Sequence, residues 1–240
     1  MADPALILAA HGSADPRSPE VAHALAGRIR RLRPGLEVRA AFLEKSQPYV
    51  GDVLSDLARC GAPAVVVPML LASAHHARVD LPAVIEESGA TVEVAEALGE
   101  DPDLVTLLGQ RVTAAGAPAD RRDVGVVVVA VGSSSAAANA RTATLADALT
   151  ARTRWAAVEV AFATGPHPTV AEAATRLRSR GARRLVVAPW FLAHGRITDR
   201  VAATAAELGI PMAEPLGSHN LVAAALLDRY DAVRLARVAA

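Results

Sequence analysis

Three side chains suited to holding a metal ion follow apolar runs in the first third of the chain. His11 comes directly after ALILAA, Glu44 shortly after VRAAF, and His76 a few residues beyond AVVVP. Two imidazoles and one carboxylate suit a borderline divalent ion such as Fe²⁺, Co²⁺, Ni²⁺ or Zn²⁺. The same groups can take protons, since an unperturbed imidazole titrates near pH ~6.5. For Glu44 both roles stand open, metal ligand and proton acceptor. His75 and His76 are consecutive, so their side chains diverge and one of the two is the ligand.

The elements that must position these residues are parallel strands. Ala5–Ala10, Glu37–Phe42 and Ala64–Pro68 read as the first three, and each candidate lies just past the carboxyl end of one of them. In open α/β sheets ligands bind at that end. Helices are expected over Pro19–Leu32, Val50–Cys60, Arg78–Ser88 and Pro102–Ala115, with a fourth strand at Thr91–Ala95. Strand and helix alternate throughout, which implies a parallel sheet covered on both faces. GAPADRRD, residues 116–123, reads as a linker.

After the linker the pattern restarts. Strands are expected at Val124–Ala130, Ala157–Phe162, Arg184–Pro189 and Pro211–Ala213. The helices between and after them fall near Ala137–Thr150, Thr169–Arg180, Arg196–Leu208 and Asn220–Val238. Ala10-His11-Gly12-Ser13 corresponds to Ala130-Val131-Gly132-Ser133, and Phe42 and Pro48 to Phe162 and Pro168, both 120 residues on. The chain is an internal duplication, with expected lobes at 1–116 and 124–240 and a cleft between them. His11 becomes Val131, Glu44 becomes Thr164 and His76 becomes Ile197, whereas Gly12, Pro48 and Pro68 keep their counterparts. The joint loss of the three polar positions places the chemistry in the first lobe.

Composition narrows the function. Formal net charge is zero, with Lys45 the only lysine, which argues against a general nucleic-acid binder. Cys60 is the only cysteine, so an internal disulfide and a cysteine-built metal cluster are excluded; at a helix end it reads as a small buried hydrophobe. The N-terminal apolar run is too short for a signal core or a membrane span, and a cytoplasmic protein is expected. The chain has no G-x-G-x-x-G after a strand and no Walker A motif, leaving nucleotide binding unsupported. His11 follows Ala10 rather than the Arg that precedes the phosphoryl-accepting histidine of histidine phosphatases, which sets that reading aside.

HGSADPRSPE, AFLEKSQP and PMLLASAHHARVDLP, in this order, resemble the blocks of the class II chelatases that load metal into sirohydrochlorin. WFLAHGRITDRV in the second half resembles a degenerate copy, so the likeness spans nearly the whole chain. It implies two Rossmann-like lobes around an active cleft. The family's metal-binding and catalytic histidines would fall on His11 and His76, and its cleft acid on Glu44. One departure is Ala74 where the family usually has Gly, with His75 where an aromatic is common. The implied substrates are a divalent metal, Fe²⁺ favoured over Co²⁺, and sirohydrochlorin or a related tetrapyrrole, with no tightly bound cofactor. Cationic and hydrogen-bonding candidates for that flat polycarboxylate are Arg17, Arg78, Arg196 and the Ser133–Ser135 loop. The protein is expected as a monomer or homodimer. The competing readings are a non-catalytic tetrapyrrole or metal carrier and a small-molecule binding module with incidental histidines.

Overall fold

The computed structural model describes residues 3–72 and 80–239. The first sheet is built from β1 (Ala5–Ala10), β2 (Val38–Phe42), β3 (Ala64–Pro68) and β4 (Val92–Val94), in the order β2-β1-β3-β4, with every pairing parallel. The inner strands β1 and β3 are short runs of Ala, Val, Leu and Ile because a sheet covered on both faces buries successive residues alike, whereas the edge strands β2 and β4 admit Arg39 and Glu93. Its helices are α1 (Arg17–Leu32), α2 (Val50–Arg59) and α3 (Leu81–Ser88). In α2 the buried residues are Val50, Val53, Leu54 and Leu57, a single helical stripe. They pack with Ala5, Ile7 and Ala9 of β1 and Val66 of β3.

The second sheet has the order β6-β5-β7, again all parallel, from β5 (Val124–Ala130), β6 (Ala157–Phe162) and β7 (Arg184–Pro189). It carries α5 (Ala136–Thr150), α6 (Val170–Ser179) and α7 (Arg196–Glu207). Val170, Ala173, Ala174 and Leu177 of α6 repeat the buried stripe of α2. The duplication is thus present in the packing as well as in the letters.

Two further helices are present among the described residues, α4 (Pro102–Ala114) and α8 (Asn220–Ala239). The chain forms two compact units, 1–99 with 218–240, and 100–217. The helix that ends the first repeat in sequence, α4, therefore belongs to the second unit, and α8 returns to the first. Tyr230 on α8 is fully buried and donates its hydroxyl to the carbonyl of Pro4 at 2.7 Å. Arg33 forms a two-pronged pair with Asp231, and Arg229 reaches the carbonyls of Ala97 and Leu98.

Two expectations need correction. The strand over Pro211–Ala213 is a lone parallel bridge between Met212 and Val187. Pro211 has no N–H to extend a ladder, and Pro215 follows four residues later. Cys60 is exposed, not buried. Helix α2 ends at Arg59, and the chain turns at Gly61 before the apolar stripe can take in another residue.

Candidate active site

β1 and β2 are neighbours in register, with Ala10 opposite Phe42, so the loops leaving them run side by side. The amide of Leu43 donates to the carbonyl of Ala10, and that of Glu44 to the carbonyl of His11, each at 3.0 Å. This extends the ladder past the strand ends and brings the two side chains together. His11 Nε2 lies 3.3 Å from Glu44 Oε1, with both side chains roughly half exposed. Gly12 makes the approach possible. Its φ is +90°, and a Cβ there would stand 1.7 Å from the carbonyl oxygen of Glu44. Ser46 fastens the loops a second time, accepting from the amide of Ser13 at 3.0 Å and donating to its carbonyl at 2.9 Å.

The spacing suits a shared cation. Donors held at about 2.0–2.1 Å from one ion and 3.3 Å from each other subtend an angle of roughly 105–110° at that ion, close to the tetrahedral value. Half-exposed ligands can also release what they bind. Among the described residues, no group of three or more His, Cys, Asp or Glu side chains is placed to hold an ion. His75, His76 and Arg78 lie outside the described residues.

The remaining candidates are distributed between the units. Arg17 opens α1 and is tied to Asp15, with Nε to Oδ1 at 3.0 Å and Nη2 to Oδ2 at 2.6 Å. Ser133 holds its own loop together, because its hydroxyl accepts from the amide of Ser135 at 3.1 Å and its backbone exchanges two bonds with Asn139. Ser135 in turn caps α5 through the amide of Ala138. Arg196 is exposed at the first position of α7.

The family model named CbiX matches residues 5–115 and again 125–233, nearly the whole chain in two copies. The chain belongs to the CbiX family. A sirohydrochlorin cobaltochelatase of Priestia megaterium is 27% identical over 174 residues, covering 68% of this chain and 56% of that protein. This chain thus spans little more than half of that relative. A sirohydrochlorin cobaltochelatase of Methanosarcina barkeri is 32% identical over 115 residues, 42% of this chain and 88% of the relative. Among solved structures, SirB from Bacillus subtilis with Fe³⁺ superposes with a TM-score of 0.82 at 22% identity, covering 95% of this chain and 94% of that one. CbiX described as the terminal enzyme of siroheme biosynthesis in denitrifying bacteria superposes with a TM-score of 0.72 at 24% identity, covering 95% and 98%. Both share the fold.

Within this CbiX-family chain the second copy keeps the frame and loses the donor side chains. Thr164 donates its amide to the carbonyl of Val131 at 3.0 Å, the same bond that joins Glu44 to His11. Gly132, at φ +93°, would place a Cβ 1.8 Å from the carbonyl of Gly165, as Gly12 does with Glu44. The Val131 side chain offers no lone pair, and Ile197 packs against the core of its own unit. What sequence reasoning missed is Lys45. Its ammonium lies 2.7 Å from Glu44 Oε1. The available signal was a chain with one lysine, placed directly after the candidate acid.

Proposed function

We propose that this CbiX-family protein is a sirohydrochlorin chelatase, a lyase-type enzyme that inserts a divalent metal into the macrocycle. The observation that carries the reading is the pairing of His11 with Glu44 at the carboxyl ends of two adjacent strands, 3.3 Å apart and accessible to solvent. The reaction exchanges two pyrrole N–H protons for one M²⁺, so the site must hold a cation weakly and receive protons. His11 and Glu44 can do both, with His76 proposed as the third member. Arg17, Arg78, Ser133 and Arg196 are proposed contacts for the substrate's carboxylates. For Arg17 that requires Asp15 to share its guanidinium.

The metal is the finer part of the proposal. An imidazole–carboxylate set accepts Fe²⁺ and Co²⁺ alike. The absence of a His-rich tract in the sequence supports iron, and the names of the two relatives above support cobalt. Anaerobic assays with free-base sirohydrochlorin and either ion, followed by the macrocycle's absorption spectrum, test both levels. Turnover with either metal is expected. Stoichiometric binding of metal and macrocycle without insertion would instead establish a carrier.

A further inference from the structure

Lys45 has the only positive φ, 59°, among the described non-glycine residues. The corresponding turn in the second unit has Gly165 at φ +102°. A side chain in the left-handed region is strained relative to glycine, and such strain persists where the side chain has a task. Here the turn places the ammonium over Glu44. The oxygen it meets at 2.7 Å, Oε1, is the one that faces His11 Nε2 at 3.3 Å. A metal bonded to both His11 and Glu44 needs that same oxygen. In the second unit the acid and the lysine are absent together, as Thr164 and Gly165.

We propose that Lys45 is a resident counter-ion for Glu44, occupying the carboxylate oxygen between turnovers and competing with the substrate metal for it. Lys45 is thus a positioning residue that keeps metal affinity low. When M²⁺ arrives the ammonium is displaced while remaining nearby, and when M²⁺ passes to the macrocycle the ammonium returns to the carboxylate. The inference rests on the chelatase reading above. Two cations about 4 Å apart repel strongly at low dielectric, but Lys45 and Glu44 are about half exposed, so solvent reduces the effect to a modest one.

The test is a double-mutant cycle on the full chain with Co²⁺ alone, read from its visible absorption at one fixed pH. Lys45→Met is expected to tighten Co²⁺ binding about five-fold and Glu44→Gln to weaken it. In the Glu44→Gln background, Lys45→Met should change the constant less than about 1.5-fold. Lys45→Arg, which restores the charge, should return the constant toward the wild-type value. Lys45→Gly relieves the left-handed turn and should behave like Lys45→Met, so the test survives if the methionine variant folds poorly. With sirohydrochlorin present, Lys45→Met should lower KM for the metal and lower kcat together. Unchanged or weaker Co²⁺ binding in both Lys45 variants, with Glu44→Gln still weakening it, overturns the role of Lys45 alone. An inert Glu44→Gln overturns this inference together with Glu44's place as a ligand.

Discussion

His11 and Glu44 have different consequences when removed, because one is replaced by nothing that can bind and the other by a near-isostere. On the proposed reading His11→Ala deletes a ligand and a base at once, and insertion should fall by about 10²–10⁴-fold, the range for losing one positioned acid–base group. Glu44→Gln keeps the shape and one weak donor, and should cost less unless Glu44 is the main proton acceptor. Steady-state rates at saturating metal, with circular dichroism to confirm folding, check the order. A more active His11→Ala than Glu44→Gln would reverse the roles. Tyr230 provides a residue-scale test unrelated to catalysis. Its burial pushes the phenol up to about 12 from an ordinary 10.0. The folded chain therefore holds this proton more tightly than the unfolded chain. That contribution is complete below about pH 10 and is lost as pH rises toward 12. Tyr230→Phe should cost about 1–2 kcal/mol at neutral pH, because it orphans the Pro4 carbonyl. It should also flatten the alkaline decline, as read by urea titrations at stepped pH.

At the scale of elements, Gly12 and Gly132 offer a matched pair. Both have φ near +90°, and in both a Cβ would collide with the carbonyl of the neighbouring strand's loop, at 1.7 and 1.8 Å. Alanine at either site must push that loop away, so Gly12→Ala and Gly132→Ala should destabilise their own units by similar amounts, at least ~2 kcal/mol each. Only Gly12→Ala moves Glu44 from His11. The value of kcat per folded molecule should fall steeply in that variant, whereas Gly132→Ala, which displaces only the proposed substrate contact Ser133, should raise KM for the macrocycle and leave kcat nearly unchanged. An equal loss of kcat would mean that the second copy's loop takes part in the chemistry itself. The alternation of apolar runs made this frame readable: β1, β3, β5, β6 and β7 lie where the residue pattern puts them, since a strand buried on both faces has little freedom in composition. Ends were less readable. The fate of Cys60 and the loss of a strand at Pro211–Ala213 turn on single residues, the turn at Gly61 and the missing N–H of Pro211, whose weight against an apolar run shows only in the packed structure. The pairing of His11 with Glu44 was legible only as two strand ends; the register of Ala10 against Phe42 makes it a distance.

For the whole molecule, the duplication seen in sequence and the units seen in packing divide the chain differently, by one helix each way. A repeat is found by comparing letters, so α4 falls with the first copy; packing is decided by which apolar surface each helix covers, and α8 covers the first unit. The unit proposed to hold the chemistry is therefore closed by the last helix of the chain. Val222, Leu226 and Tyr230 are fully buried on α8. At about 1.5–3 kcal/mol for each large apolar side chain, these three alone contribute on the order of 5–9 kcal/mol. That is comparable with the whole stability of a typical domain, about 5–15 kcal/mol. A chain ending after Gly217 should then lose its first unit while retaining the second, although the cut is made more than 100 residues away from β3 in sequence. Hydrogen exchange resolves the two halves. Amides of β1 and β3 should lose protection, and those of β5 and β7 should keep it, because α4 remains attached to their unit. Co²⁺ binding should vanish with the first unit. Protection lost from β5 and β7 instead, with β1 and β3 intact, would show that α8 closes the other unit.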